Sequence, residues 1–275
     1  MPHRYARVLT IAGSDSGGGA GIQADLKTIA ALGGYGMTAI TALTAQNTQG
    51  VQGIHPVPAA FLKAQIQSVM DDIGVDAIKV GMLHAPGIVE VVCWAIDHYQ
   101  PRHVVLDPVM VATSGDRLIA EETVASLVSD LFPRATLITP NLDEAALLLG
   151  QPLQHVDQLA HAAQGLLDLG ARAVLLKGGH LAGDDVVDVL LASGQPIARF
   201  ASRRINSHNV HGTGCTLSSA IAVGLAQGLP LSEAVAQARS FILQAIEKGA
   251  SVRTGQGHGP LNHGHHPIAT MLLPA

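Results

Sequence analysis

The chain has 275 residues, of which 48% are hydrophobic, 13% are charged and only 3% are aromatic. This length fits one α/β domain, and a core built from Ala, Val, Ile and Leu suits a parallel sheet that is covered on both faces. The net charge of -5 and the scarcity of aromatic side chains argue against nucleic acid as a partner.

The cysteine content and the apolar runs bear on the compartment. The chain has only two cysteines, Cys93 and Cys215, which form no CxxC pair; their number excludes a disulfide framework, and a reducing cytoplasm fits. The first ten residues carry no long apolar segment, so we expect no secretory signal. Every apolar run is broken well short of the roughly 18 residues that a membrane span needs. We therefore expect a cytoplasmic protein without membrane contact.

Short apolar runs alternate with amphipathic segments of helical length along the whole chain. The alternation predicts a doubly wound, mostly parallel sheet, and no repeat or linker divides the chain, so we expect one domain over residues 1–275. Strands are predicted at 7–12, 36–44, 76–80, 103–107, 135–139 and 173–177, followed by an edge hairpin of 186–192 and 197–205. Helices are predicted at 20–32, 58–73, 86–98, 121–131, 143–149, 156–169, 214–227 and 231–248, and the tail from about residue 254 is predicted to be irregular.

Glycine, amide and charged residues cluster where predicted strands end. In open α/β sheets, ligands bind beyond the carboxyl ends of the strands. This edge is therefore the predicted site. The residues concerned are Gly13 to Asp15, Gln46-Asn47, Lys79-Val80-Gly81, Asp107-Pro108, Asn141 and Lys177-Gly178-Gly179.

The segment GSDSGGGAG (13–21) follows a predicted strand and opens a predicted helix. Glycines allow close backbone approach to a ligand, and a helix start offers free N–H groups, so a ligand loop is favoured over a simple flexible turn. The segment is not G-x-G-x-x-G, and the chain contains no G-x-x-x-x-G-K-[ST]. A dinucleotide fingerprint and a Walker A loop are therefore both excluded.

The segment NVHGTGCTLSSA (209–220) places a Gly-Thr-Gly turn before a helix of small residues. The N–H groups of Gly212, Thr213, Gly214 and Cys215 are predicted to converge there and to stabilise a transferring phosphoryl group. The same helix start predicts a lowered pKa for the Cys215 thiol. The alternative is a tight helix start that holds a buried cysteine, and the residues alone leave both interpretations open.

Three further residue groups suit phosphate and metal chemistry. Asn141 and Glu144, three residues apart, fit either water-mediated Mg²⁺ binding or a helix capping box, and the two can coexist. Asp107 at a strand end is either an acid on the metal side or a turn residue. Lys177, one of five lysines, suits nucleotide phosphates, although it also fits an ordinary exposed charge. The histidines near the C-terminus have no carboxylate or cysteine nearby, so no metal site is expected there.

Several segments, taken in this order, resemble those of bacterial hydroxymethylpyrimidine phosphate kinases in the ribokinase-like group. The resemblance runs from about residue 8 to about residue 263. The segments are AGSDSGGGAGIQADLKT (12–28), TALTAQNTQGV (41–51), IKVGML (78–83), VLDPVM (105–110), TPNLDEA (139–145), LLKGGH (175–180) and HGTGCTLSSAIA (211–222).

The resemblance implies a ribokinase-like, three-layer α/β/α fold with a mostly parallel central sheet and a small edge hairpin. It also implies that ATP and Mg²⁺ are used in thiamine biosynthesis to phosphorylate 4-amino-5-hydroxymethyl-2-methylpyrimidine and then its monophosphate. The residues that it places around the pyrimidine are Gly13, Asp25, Gln46, Met82 and Val109. Those that it places near phosphates are Lys177 and the 211–215 loop, including His211 and Thr213, while Asn141 and Glu144 lie on the magnesium side.

Cys215 stands where ribokinase and many sugar kinases carry an aspartate base. This departure matches the pyrimidine kinase branch, argues against a sugar kinase and makes Cys215 the candidate general base. The small, polar segment between Val109 and Leu118 is typical of a lid that closes over substrate.

Two other functions remain open from the sequence. A pyridoxal or pyridoxine kinase of the same branch would also carry the cysteine. A non-catalytic pyrimidine sensor is disfavoured because the anion-hole loop, the acid and the lysine are all present. The expected partners are the small-molecule substrate and ATP; a homodimer is also expected, although no sequence feature determines the oligomeric state.

Overall fold

The computed structural model describes residues 3–110, 119–179, 181 and 183–274. The strands are His3–Tyr5 (β1), Arg7–Asp15 (β2), Tyr35–Asn47 (β3), Gly50–Pro56 (β4), Ala77–Val80 (β5), Val104–Leu106 (β6), Leu137–Ile138 (β7), Ala173–Leu176 (β8), Asp185–Ala192 (β9), Ala198–Arg203 (β10) and Leu272–Pro274 (β11). The helices are Gly21–Ala31 (α1), Ala59–Asp72 (α2), Pro86–Tyr99 (α3), Glu121–Ser126 (α4), Leu142–Leu149 (α5), Gln158–Asp168 (α6), Thr213–Ala226 (α7) and Leu231–Gly249 (α8).

The main sheet has the strand order β10-β9-β8-β7-β6-β5-β2-β3-β4. The strands from β8 to β3 in that order are parallel, whereas β9, β10 and β4 add to the two edges in antiparallel pairings. The parallel strands therefore end at one common edge, which confirms the predicted fold class and brings the chemically distinctive residues together.

Helices cover both faces of the sheet. Successive side chains of each strand point in opposite directions, so one strand contributes to the apolar clusters on both faces. On β2, Leu9 and Ile11 pack in the cluster beneath α2, α3, α5 and α6. Val8 packs in the second cluster, against α1, α7 and α8. Helix α7 is buried from Thr216 to Ala226, which explains its nearly uniform composition of small and apolar residues.

The structure departs from the predicted elements mainly at the edges. Strand β4 was not predicted, because its sequence GVQGIHP is rich in glycine and mostly exposed. The short strands β1 and β11, which pair with each other, were also missed. Helix α4 continues through a π-helical turn, Leu127–Leu131, and a 3-10 turn, Phe132–Arg134.

The predicted lid between Val109 and Leu118 lies outside the described residues, apart from its first two positions. The tail has no helix or strand between residue 254 and β11, and it is packed against the body, since Leu261 and His263 are buried. Among the described residues, no helix combines the length and the apolar character that crossing a membrane requires.

Candidate active site

The first glycine-rich loop is folded around the carboxylate of Asp15. The backbone N–H groups of Gly17, Gly19 and Ala20 donate to it over 2.8–3.0 Å. Burial alone would raise the pKa of Asp15, but these bonds and one from His211 outweigh it and lower that pKa. Asp15 is therefore a charged, structural acceptor, and sequence reasoning named it only as part of a loop.

The second glycine-rich loop packs directly on the first. Gly212 has a φ of 87°, and a side chain there would collide with the carbonyl oxygen of Gly19. The imidazole Nε2 of His211 lies 2.9 Å from Asp15 Oδ2 and 3.3 Å from one end of the Gln46 side-chain amide. The predicted phosphate role of His211 stays a prediction, and in the free protein its ring contacts Asp15 and Gln46.

Beyond strands β6 and β8, Asp107 and Lys177 form an ion pair. Lys177 Nζ lies 2.8 Å from Asp107 Oδ1, which also accepts from the hydroxyl of Thr139. Burial would lower the pKa of Lys177, but the nearby carboxylates of Asp107 and Glu144 raise it. A Cβ at Gly214 would lie only 3.1 Å from Asp107 Oδ2 and 3.3 Å from Lys177 Nζ. The amino end of α7 therefore stands directly over this pair, as the predicted phosphate site requires.

The start of α5 is a complete capping box. The Asn141 side chain accepts from the Glu144 N–H over 2.9 Å, and the Glu144 carboxylate accepts from the Asn141 N–H over 2.8 Å. The capping interpretation is thus confirmed, and the backbone N–H of Met110 also bonds to the Glu144 carboxylate. Burial, opposed by Lys177 and reinforced by Asp107, raises the pKa of Glu144 to about 7.

The carboxylates near Lys177 are the kind of oxygen donor that Mg²⁺ prefers. Asp107 and Glu144 supply hard carboxylate oxygens that both interact electrostatically with Lys177. Burial penalises the charge on Glu144, and an added cation would relieve that penalty. The described residues contain no group of three or more His, Cys, Asp or Glu that could hold a metal ion. Mg²⁺ commonly binds through one or two carboxylates together with waters and substrate phosphates, and the two carboxylates are compatible with such a site.

Cys215 lies in the first turn of α7 and forms no disulfide. Burial, together with Asp25 and Asp107, raises the pKa of its thiol to about 11, although Lys79 and a hydrogen bond from the Gly21 N–H oppose this. The prediction of a lowered pKa is therefore wrong for the free protein. Loss of solvent around the sulfur outweighs the favourable effect of the helix start.

Asp25 of α1 belongs to a buried polar cluster. It is fully buried, and both of its oxygens lie 3.0 Å from Lys79 Nζ. The hydroxyls of Thr10 and Ser219 donate to it over 2.5 and 2.7 Å. The predicted contact of Asp25 with the pyrimidine stays a prediction, and the structure adds the ion pair and the hydroxyl donors that hold this carboxylate in place. Lys79, its partner, was noted in the sequence only as a strand-end residue.

Two of the other predicted substrate residues come together as expected. Gly13 lies at an irregularity in the β2–β3 register, and a Cβ there would lie 3.0 Å from the Met82 terminal methyl. Such irregularities are a common way to redirect a strand beside a site. Val109 follows β6, and its N–H bonds to the carbonyl of Asp107. The contact of these residues with a substrate remains a prediction.

The C-terminal tail, which sequence reasoning did not connect to the site, braces the second loop. His211 and Pro260 form a parallel bridge. His263 Nε2 lies 2.9 Å from the Thr216 hydroxyl, which itself donates to the Gly212 carbonyl. Burial lowers the pKa of His263 to about 4, so the ring is neutral. No local pattern in the sequence indicates these contacts.

Comparison with known proteins places these features in a family. The family model described as phosphomethylpyrimidine kinase matches residues 15–262. A hydroxymethylpyrimidine/phosphomethylpyrimidine kinase from Rhizobium meliloti is 48% identical over 94% of this chain and 97% of its own. A thiamine biosynthesis bifunctional protein from Geobacter sulfurreducens is 52% identical over 95% of this chain, which spans only 53% of that protein.

Solved structures agree with the sequence matches. The ADP complex of pyridoxal kinase from Bacillus subtilis has a TM-score of 0.87 and 40% identity, covering 94% of this chain and 98% of its own. The ribokinase-like fold expected from the sequence is thereby confirmed. The match to the family model covers most of the chain, and the full-length relative is nearly half identical, so this chain belongs to the phosphomethylpyrimidine kinase family.

Proposed function

We propose that this chain transfers the γ-phosphoryl group of ATP to the hydroxymethyl group of 4-amino-5-hydroxymethyl-2-methylpyrimidine, and then phosphorylates the monophosphate. One observation carries the proposal. The amino end of α7, bearing Cys215, stands over the Asp107–Lys177 ion pair and packs against the loop that borders Gln46. A phosphate site and a candidate ring-binding side chain are thus held on either side of one cysteine.

The ring is proposed to lie near Gln46, Gly13, Met82 and Val109. An amide offers one donor edge and one acceptor edge, which matches a ring nitrogen beside an exocyclic amine. Gly13 leaves open the space that a side chain would fill against Met82. Asp25 is proposed to lie near the ring as well, held in place by its ion pair with Lys79.

The phosphates are proposed to bind Lys177 and the N–H groups of residues 212–215. Charge that develops on the transferring group is stabilised by backbone donors at the helix start. ATP phosphate oxygens would compete with Asp107 for the Lys177 ammonium, so the ion pair keeps that ammonium charged and positioned until nucleotide binds. Mg²⁺, held on the side of Asp107 and Glu144, would supply further neutralisation of phosphate charge.

Proton transfer is assigned to Cys215. The substrate hydroxyl oxygen forms a bond to the γ-phosphorus, the bond from that phosphorus to the bridging oxygen of ADP breaks, and the hydroxyl proton passes to the thiolate. Because burial raises the thiol pKa to about 11, only a small fraction is thiolate near neutral pH. The buried ammonium of Lys79 and the Gly21 N–H favour that thiolate.

Mass spectrometry of products formed from the hydroxymethylpyrimidine and Mg-ATP tests the proposal. We expect successive addition of two phosphoryl groups. A single added phosphoryl group would contradict the second phosphorylation. The absence of any added group would overturn the proposed function. Pyridoxal is run in parallel, since the pyridoxal kinase of Bacillus subtilis shares this fold at 40% identity. A kcat/KM for pyridoxal that exceeds that for the pyrimidine would reassign the chain as a pyridoxal kinase.

We further propose that the chain forms a homodimer. The exposed apolar side chains Leu43, Ile54 and Phe61 lie on β3, β4 and α2 at one edge of the sheet. An exposed edge strand with apolar neighbours is a surface that proteins commonly cover. Light scattering coupled to size-exclusion chromatography measures the mass directly, and a monomer at micromolar concentration would contradict this proposal.

A further inference from the structure

The side-chain amide of Gln46 is held at both of its ends by other side chains. One terminal atom lies 3.3 Å from His211 Nε2, and the other lies 3.0 Å from Thr44 Oγ1. Its own backbone is held by Ser16, whose hydroxyl both donates to the Gln46 carbonyl and accepts from its N–H over 2.8 Å. The amide therefore has two possible orientations, which differ in whether its oxygen faces His211 or Thr44. The positions of the protons on His211 and Thr44 decide between them.

On the His211 side, the proton position follows from Asp15. The two atoms His211 Nε2 and Asp15 Oδ2 are 2.9 Å apart, a hydrogen-bond distance. Asp15 already accepts three backbone N–H bonds and is charged, so it has no proton to give. The proton must lie on Nε2. If the amide nitrogen faced this ring, two N–H donors would meet across 3.3 Å.

On the Thr44 side, the single hydroxyl proton is already committed. Thr44 Oγ1 lies 2.8 Å from the Ser14 carbonyl oxygen, which can only accept, so the hydroxyl donates there. What remains on Oγ1 is its capacity to accept. The end of the amide that lies 3.0 Å away is thus satisfied by an N–H donor.

Both neighbours favour the same orientation. We propose that Asp15, His211 and Thr44 act as positioning residues that fix the Gln46 amide with its oxygen toward His211 and its nitrogen toward Thr44. This inference rests on the proposed function for its consequence. The site then presents a fixed order of acceptor and donor, which suits a ring with an amino donor beside a nitrogen acceptor. The 4-oxo analogue, with a carbonyl beside a ring N–H, presents the reverse order and is rejected.

The orientation itself is tested in the free protein, without substrate. In NMR spectra of the full chain, we expect nuclear Overhauser contacts from the Gln46 side-chain NH₂ protons to the Thr44 methyl group. Contacts from those protons to the His211 ring instead would overturn the proposal. This measurement does not depend on whether the proposed function is right, so the two can fail separately.

The consequence is tested by kcat/KM for the 4-amino substrate relative to its 4-oxo analogue. We expect the wild type to favour the amino compound by roughly 100-fold or more, because mispaired buried polar groups are costly. His211→Phe removes the N–H and should reduce that ratio about tenfold. His211→Gln restores an N–H at similar reach and should recover most of it. Thr44→Val should lower the ratio less, because His211 still opposes the reversed amide.

Thr38→Val is the matched control, since Thr38 lies on the same strand, six residues from Thr44. It should leave the ratio unchanged. Melting temperatures identify any variant that fails to fold. If His211→Phe does not fold, Thr44→Val still tests the proposal. A ratio that is near one in the wild type, or that is unaffected in both His211→Phe and Thr44→Val, would overturn the selectivity. Absence of phosphorylation of either compound by the wild type would instead count against the proposed function.

Discussion

Lys79 and Asp25 form an ion pair that is fully shielded from water, with Lys79 Nζ 3.0 Å from both carboxylate oxygens. Lys79 comes from β5 and Asp25 from α1, and Ser219 of α7 donates to the same carboxylate. The pair thus ties together three elements directly beneath Cys215. Burial would lower the pKa of Lys79, but the adjacent Asp25 carboxylate raises it, so the pair is charged.

The first prediction concerns this pair. Lys79→Met leaves a buried carboxylate without its cation, so the free energy of unfolding should fall by about 3–5 kcal/mol. The double variant Asp25→Leu/Lys79→Met removes both charges and should recover much of that loss. Urea unfolding of the wild type, both single variants and the double variant measures the coupling. Additive losses would show that the two side chains stabilise the fold independently.

The second prediction concerns the pH dependence of catalysis. With a thiol pKa of about 11, the thiolate fraction rises about tenfold per pH unit at lower pH. If the thiolate is the base, kcat/KM should rise steeply from pH 6.5 to 9. Cys215→Ser should flatten that rise and lower kcat by roughly 10²–10⁴. Cys93→Ala, in the core of α3, is the control and should keep the wild-type profile. A steep rise that survives in Cys215→Ser would assign the proton to another group.

The third prediction concerns stability and the carboxyl of Glu144. Its pKa is raised from 4.5 to about 7 on folding, so the folded state favours the protonated form. The stabilisation is complete below pH 4.5 and is lost as the pH rises through 7. Glu144→Gln removes this titration, so its stability relative to the wild type should increase by up to about 3 kcal/mol between pH 5 and 8. Glu247→Gln, at an exposed position, should show no such trend.

The fourth prediction concerns magnesium. Glu144→Gln keeps the size and the capping amide oxygen but removes a charge beside Asp107 and Lys177. The Mg²⁺ concentration for half-maximal activity should rise several-fold, because hard cations favour carboxylates over amides. Initial rates over a magnesium titration at saturating ATP measure this. An unchanged requirement, accompanied by a lower melting temperature, would leave Glu144 with its capping role alone.

Local sequence patterns were sufficient to predict a structural feature wherever the contacts that determine it lie close together in the sequence. The alternation of apolar runs and amphipathic segments predicted the parallel sheet. The faces of a helix or strand that are buried determine the spacing of apolar residues along it, so the spacing identifies the element. Asn141 and Glu144 are three residues apart, so their capping box was predictable from spacing alone. The edge strand β4 was missed because its packing is one-sided and its glycines weaken the strand pattern.

The character of the site was decided by contacts between residues that are far apart in the sequence. Asp25 and Lys79 are 54 residues apart, and Asp15 and His211 are 196 apart. Cys215 carries a helix-start signal that predicts a low thiol pKa, yet burial against Asp25 and Asp107 raises it to about 11. Desolvation and long-range pairing depend on the complete three-dimensional surroundings of a group. The sequence therefore determined which residues reach the site, whereas the tertiary structure decided their charge, their partners and their orientation.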